Sequence, residues 1–222
     1  MATKRRIKKK RIKEDQLVTY AVKASQFAQE YFTHIVIGVV VLVVAVAVVV
    51  FVTNTRRNAG HESQRELARA MTEYNSGDNE AAAVSFAQLA DRYGGYPAGR
   101  VSLYFLGKSQ LALSHYDEAL QSFQQYLKKA GSNDEFRVAA NLGMANAYEG
   151  MENFAAAAEL LERLSQTMDP DDPRYVNVLF QTARDYEDSG SREKAIEYYG
   201  LVDEKATGSL KDRASVRLAL LK

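Results

Sequence analysis

Eighteen successive residues, Ile35 to Val52 (IVIGVVVLVVAVAVVVFV), carry neither a charge nor a hydrogen-bonding side chain. At roughly 1.5 Å per helical residue such a run is about 27 Å long, and with Tyr31, Phe32 and Thr53 at its ends it matches a hydrocarbon layer of about 30 Å. An amphipathic core helix would keep one polar face, and this run has none. Its eleven valines disfavour helix in water, but in lipid each backbone N–H finds a partner only within its own helix. A cleaved secretory leader has a shorter apolar core nearer the N-terminus, and the exit Phe51-Val52-Thr53-Asn54-Thr55-Arg56-Arg57 offers no small-residue cleavage site. The run therefore predicts one uncleaved transmembrane helix over 35–52.

Charge orients it. Residues 1–34 hold nine Lys or Arg against three Asp or Glu, a net of +6, whereas 53–222 hold 20 basic and 25 acidic residues, a net of −5. Because Lys and Arg near a span stay on the cytoplasmic side, the tail is expected inside and the large C-terminal part outside. The near-neutral whole-chain charge of +1 hides these two unlike halves.

The tail, 1–13, contains eight basic residues in the ten from Lys4 to Lys13. Such a run can act as a topology signal, lie on anionic lipid headgroups, or neutralise nucleic-acid phosphates. The adjoining span and the lack of any aromatic residue within the run favour the first two over nucleic acid. Segment 14–34 places Leu17, Val18, Ala21, Ala24, Phe27, Ala28 and Tyr31 on one helical stripe, which predicts an amphipathic juxtamembrane helix. An interfacial position, a membrane partner and an extension of the spanning helix all stay open for it. Asn54, Asn58 and Gly60 suggest a linker or frayed helix end over 53–60.

From residue 61 to 222 the sequence repeats. Ala82, Ala119, Ala157 and Ala195 stand 37, 38 and 38 residues apart. Twelve positions before each is a small residue (Ala70, Gly107, Ala145, Ala183), and four after each is a bulky one (Phe86, Phe123, Leu161, Tyr199). Two antiparallel helices approach closely where small side chains face each other, and the bulky residue one turn on fills the remaining space. At these residues the chain resembles the tetratricopeptide repeat, best in Leu106-Gly107 and Tyr116-Asp117-Glu118-Ala119-Leu120 with Phe123, and again at Tyr148 and Tyr186. Its period exceeds the family's 34, the first-helix Trp is absent, and Pro170 and Pro173 stand away from the usual repeat-ending Pro. The expected fold is all-α: one transmembrane helix, then a TPR-like solenoid of about four helix pairs, capped by a last helix over 209–222 with Leu210, Ala214, Val216, Leu218 and Leu221.

Little in the chain suits catalysis. Without Cys there is no thiolate nucleophile or thiolate zinc site. His34, His61 and His115 lack partners at metal-ligand spacing, and no Gly-rich phosphate loop is present. Asp169, Asp171 and Asp172 lack the remainder of a calcium loop and suit a helix cap. No enzyme activity and no cofactor is expected.

The resemblance implies a concave surface formed by first helices. Its groove positions fall on Leu67, Met71 and Tyr74, on Tyr104 and Lys108, on Leu142 and Asn146, and on Phe180 and Arg184. Aromatic, Met, Lys and Arg side chains together suit an extended peptide, though packing roles stay open for each. Lys108, Asn146 and Arg184 do not complete the family's two-carboxylate clamp. The order of segments, with Lys13-Glu14-Asp15-Gln16-Leu17-Val18 and the approach from Phe27 to Phe32, resembles the YfgM-like ancillary subunits of the bacterial Sec translocon. That resemblance implies an inner-membrane protein with its repeats in the periplasm, beside the translocon and a membrane-anchored chaperone, meeting exported clients. The alternative is a subunit of another membrane complex whose basic tail binds RNA, ribosome or anionic lipid.

Overall fold

The computed structural model describes residues 18–27, 29–131 and 135–222. The basic tail and the start of the juxtamembrane segment lie outside the described residues. The chain divides into two units, 1–58 and 59–222.

In the first unit residues 18–27 and 29–30 are helical, Tyr31 is a bend, and α1 begins at Phe32 and runs Phe32–Asn75 across the unit boundary. The bend leaves the backbone ladder intact, since Tyr31 N–H donates to Phe27 O (3.0 Å) and Ile35 N–H to Tyr31 O (2.9 Å). Every residue of 35–52 is exposed, so no described residue of its unit covers the apolar run.

The stretch 53–60, read above as a linker or frayed end, is helical throughout. Helix-poor residues there cost at most about 1 kcal/mol each, which the helix continuing on both sides tolerates. Thr53 and Thr55 hydroxyls donate to the carbonyls of Val50 and Phe51 at 3.0 and 2.9 Å. Gly60 does not break the helix, and a Cβ there would make only an ordinary contact with the Tyr96 ring at 3.9 Å.

The second unit is a succession of helix hairpins. After α1 come α2 (Asn79–Arg92), α3 (Pro97–Ala112), α4 (Tyr116–Lys129), α5 (Arg137–Gly150), α6 (Phe154–Thr167), α7 (Tyr175–Asp188), α8 (Arg192–Lys205) and α9 (Ser209–Leu221). The pairs are the end of α1 with α2, α3 with α4, α5 with α6, and α7 with α8, and α9 closes the stack. From α2 onward each helix packs on its sequence neighbours, and the first helices α3 and α5 also touch across their pairs. This is the all-α, four-pair solenoid with a terminal helix that the repeat pattern predicts, and no strand occurs among the described residues.

The periodic small and bulky residues are its core. Ala82, Ala119, Ala157 and Ala195 are fully buried, as are Ala70, Ala145 and Ala183 and the bulky Phe86, Phe123, Leu161 and Tyr199. Gly107 faces the Phe123 ring more closely than it faces Ala119: a Cβ on Gly107 would meet that ring at 2.8 Å, and one on Gly143 at 2.5 Å. Two glycines from successive pairs thus form the slot that holds Phe123.

The turn inside each hairpin also repeats. Gly77, Ser114, Glu152 and Gly190 have φ of 85°, 60°, 59° and 80°, and each N–H bonds back to the carbonyl three residues earlier. The following N–H reaches the carbonyl five back, in Asp78 to Glu73 (3.1 Å) and in His115 to Gln110, Asn153 to Tyr148 and Ser191 to Tyr186 (2.8 Å each). These paired bonds satisfy the last carbonyls of each first helix and require a left-handed residue at one fixed position. Glycine fills it in the first and fourth pairs, whereas Ser114 and Glu152 hold it against a Cβ clash. Asp78 and Asn153 then cap the second helices, accepting from Ala81 N (3.0 Å) and Ala156 N (3.3 Å).

Candidate functional site

The first helices of the second unit carry the expected binding residues, and the structure joins these residues in separate groups. Met71 and Tyr74 on α1 are half-buried and pack against the cluster of Ala70, Ala82, Phe86 and Leu106. Lys108 on α3 brings its ammonium to 5.3 Å from the Tyr74 ring and 5.9 Å from the Tyr104 ring. A hydrogen bond with Tyr74 holds its pKa above the ordinary lysine value.

Tyr104 is a core residue, not a groove anchor. It is 8 % exposed and stacks on Phe136 with centroids 4.7 Å apart, while Phe123 and Tyr126 approach from the second-helix side at 5.9 and 5.8 Å. Phe136 comes from the segment just before α5, whose packing a first-helix pattern does not reveal. Burial pushes the Tyr104 hydroxyl up, against the pull of Lys108. Leu142 on α5 is half-buried beside Ala145, Leu161 and Val178.

Asn146 and Arg184 belong to one polar seam between α5 and α7. Gln181 donates to Asn146 Oδ1 (3.0 Å) and to Glu149 Oε1 (2.6 Å), and Arg184 donates to Glu149 Oε2 (2.6 Å) and lies 3.4 Å from Asp185 Oδ1. Asp185 is fully buried and its second oxygen has no hydrogen-bond partner among the described residues. Burial, and then the neighbouring Glu149 charge, push its carboxyl up to about 7. Glu149, Gln181 and Asp185 were not among the residues expected from sequence. The signal was present as matching i, i+3 pairs, Asn146 with Glu149 and Gln181 with Arg184.

Phe180 and Arg184 line a groove of about 500 Å³ completed by α9, through Asp212, Arg213, Val216, Arg217 and Leu220, with Tyr199 of α8 beneath. Phe180 meets Tyr199 edge-on at 5.7 Å, and the Arg213 guanidinium sits 4.5 Å above the Phe180 ring. Tyr199 donates its hydroxyl to Glu187 at 2.8 Å, and burial together with that bond raises its pKa. The terminal helix is thus more than a cap. Ala214 is buried, Leu210, Leu218 and Leu221 pack on the core of the fourth pair, and Val216, expected in that seam, faces the groove.

Asp169 and Asp172 serve local turns instead of capping α7. Asp171 N–H donates to Asp169 Oδ1 (3.0 Å), and Arg174 meets Asp172 through its own N–H (2.8 Å) and its guanidinium (2.6 Å), holding that carboxyl down to about 2. Among the described residues no three His, Cys, Asp or Glu gather as metal ligands.

A stack of antiparallel helix hairpins with a small-residue seam, joined side by side through first helices, defines an α-solenoid of the protein-binding scaffold class. The sequence profile of the tetratricopeptide repeat-like domain family matches residues 25–169, and the chain belongs to that family. Among solved structures it is similar to the TPR-like repeats of a putative kinesin light chain from Podosopora anserina, at 20% identity over 71% of this chain and 84% of that one, TM-score 0.57. It is similar also to MamA, at 18% identity over 73% and 81% of the two chains, TM-score 0.60. A third, YrrB, described as a TPR protein with an unusual peptide-binding site, is 15% identical over 70% and 74%, TM-score 0.55. These likenesses establish the fold. A comparison with curated proteins finds no match.

Proposed function

We propose that the protein is a membrane-anchored repeat scaffold: residues 35–52 span the bilayer, the basic tail stays in the cytoplasm, and residues 59–222 present a peptide-binding first-helix face outside. The observation that carries this reading is the pairing of a fully exposed apolar run with a repeat stack. Exposing eighteen apolar residues to water is unfavourable by tens of kcal/mol at about 25 cal/mol per Å², and a bilayer removes that cost. The one helix of this length and apolarity among the described residues is α1. The +6 and −5 halves support this orientation.

The domains follow as proposed: tail 1–13, amphipathic segment 14–34, span 35–52, and the solenoid. The segment order supports a place at the outer face of a bacterial inner membrane, assisting protein export beside the Sec translocon and a membrane-anchored chaperone. Met71, Tyr74, Lys108, Leu142, Asn146, Phe180 and Arg184 remain the proposed contact positions, Met71, Tyr74 and Leu142 through half-buried edges. A peptide site in YrrB, a fold neighbour, fits a site of the same kind here.

Protease added to spheroplasts should digest the repeat unit and leave the tail intact, as followed by tags at the two ends. A repeat unit that resists until the membrane is opened with detergent would defeat the orientation.

A further inference from the structure

The groove between α7, α8 and α9 combines three features. Its floor is aromatic, with Phe180 over Tyr199. Its rim is apolar: in 59–222, among the described residues, Val84, Val216 and Leu220 are the large hydrophobic side chains left exposed, and two of these three stand one turn apart on α9 facing this groove. Its charge is cationic, with three arginines against Asp212.

The arginines differ in what they are free to do. Arg184 is held by Glu149 at 2.6 Å and Arg217 lies 3.5 Å from Glu187. Arg213 lies over the Phe180 ring and has no carboxylate at ion-pair distance among the described residues. An unpaired guanidinium poised over an aromatic face can accept a carboxylate in two parallel hydrogen bonds without giving up the ring contact. A volume near 500 Å³ holds one or two large side chains.

Resting on the scaffold reading above, we propose that this groove is its peptide subsite and takes an extended segment in which an apolar side chain is flanked by a carboxylate. The apolar side chain enters between Phe180, Val216 and Leu220, and the flanking carboxylate pairs with Arg213. Uncharged or basic apolar segments would fill the same floor without that pairing.

The test uses the full chain in lipid nanodiscs and two fluorescent synthetic peptides with the same Leu-Phe core, one flanked by Glu and one by Lys, followed by anisotropy. The acidic peptide should bind at least about tenfold more tightly, with a preference that shrinks as salt rises. Arg213→Glu should reverse the preference, and Leu220→Ser should weaken both peptides about tenfold while circular dichroism stays unchanged. Equal binding of the two peptides overturns the proposal. Binding that both variants leave unaltered places the peptide elsewhere on the repeats, so the groove assignment falls while the scaffold reading stands. If neither peptide binds and site-specific crosslinking in cells finds no protein on any first helix, the scaffold reading falls with it. Self-association of the nanodisc-embedded chain that Leu220→Ser abolishes would assign the groove to a second copy, and would also overturn the proposal.

Discussion

Two seams of the solenoid are built from one repeat pattern and share an apolar core, Val178 packing on Ala145, Ala157 and Leu161 in the second of them, but that second seam adds a polar layer. Between the second and third pairs the contact is apolar: Phe123 lies in the slot of Gly107 and Gly143, and Tyr104 stacks on Phe136. Between the third and fourth pairs the first helices meet through Asn146, Glu149, Gln181 and Arg184 over the buried Asp185. On the second-helix side, Glu162 of α6 joins Tyr186 and Lys194, with Lys194 at 2.7 Å. Apolar burial is insensitive to pH and strengthened by excluded salts, whereas the half-exposed pairs Arg184–Glu149 and Lys194–Glu162 add little and the buried Asp185 carboxyl responds to pH. The first seam joins two pairs through packing. The second is where pH can alter the stack, close to the groove that α9 completes.

The largest expected effect breaks the apolar seam. Phe123→Ala should cost about 3 to 5 kcal/mol, because it empties a fully buried slot that the facing glycines cannot fill. Thermal unfolding of the full chain in nanodiscs, followed by circular dichroism, would measure it. A change under about 1 kcal/mol would mean that Phe123 is not the contact joining the second and third pairs.

The next effect tests the polar seam. The Asp185 carboxyl, raised to about 7 in the fold, keeps its proton while an unfolded aspartate ionises near about 3.9. The folded state therefore binds more protons between these values, and this group's contribution to stability is full below about 4 and is lost as pH rises to about 7. Relative to the natural chain, Asp185→Asn should gain stability across that interval, on the order of 2 to 4 kcal/mol by pH 8. Denaturant titrations at pH 5 and 8 would show it, and a constant difference between the two chains would place the buried acid's proton elsewhere.

Overpacking sharpens the comparison. Gly107→Leu should destabilise by about 1 to 3 kcal/mol as its side chain enters the Phe123 ring space. An unchanged melting temperature would show that this helix pair has room that the glycine slot denies.

The smallest effect concerns the turns. Ser114→Gly and Glu152→Gly relieve a left-handed residue of its Cβ and should each stabilise by up to about 1 kcal/mol, less the added freedom of the unfolded glycine. Destabilisation by either in the same melts would show that the side chain contributes more than the turn geometry takes away.

The repeat register was legible because it rests on contrast in size at fixed spacing: Ala70, Ala82 and Phe86 announce a close helix pair wherever they recur. Of the four left-handed turn residues, Gly77 and Gly190 are of the type that advertises positive φ, and Ser114 and Glu152 are not. The candidate site was legible only in part. Periodicity places Tyr104 and Phe180 at equivalent positions, yet Phe136 covers the first while α9 leaves the second at an open groove. The polar seam needed knowledge of which helix lies opposite, because Glu149 and Asp185 look like ordinary helix-surface acids. Helicity through 53–60 was obscured because Asn54, Asn58 and Gly60 read as breakers, whereas they lie inside one long helix whose interior tolerates their low propensity.

On the proposed function, the first-helix face meets protein partners while the second-helix face is outer surface. A photo-crosslinking amino acid placed singly at Lys108, Asn146 or Arg213, and for contrast at Gln124 or Glu159 on the exposed sides of α4 and α6, tests it in intact membranes. Crosslinked polypeptides should appear from the first three positions, with Arg213 strongest, and not from the other two. Products confined to Gln124 and Glu159 would contradict it.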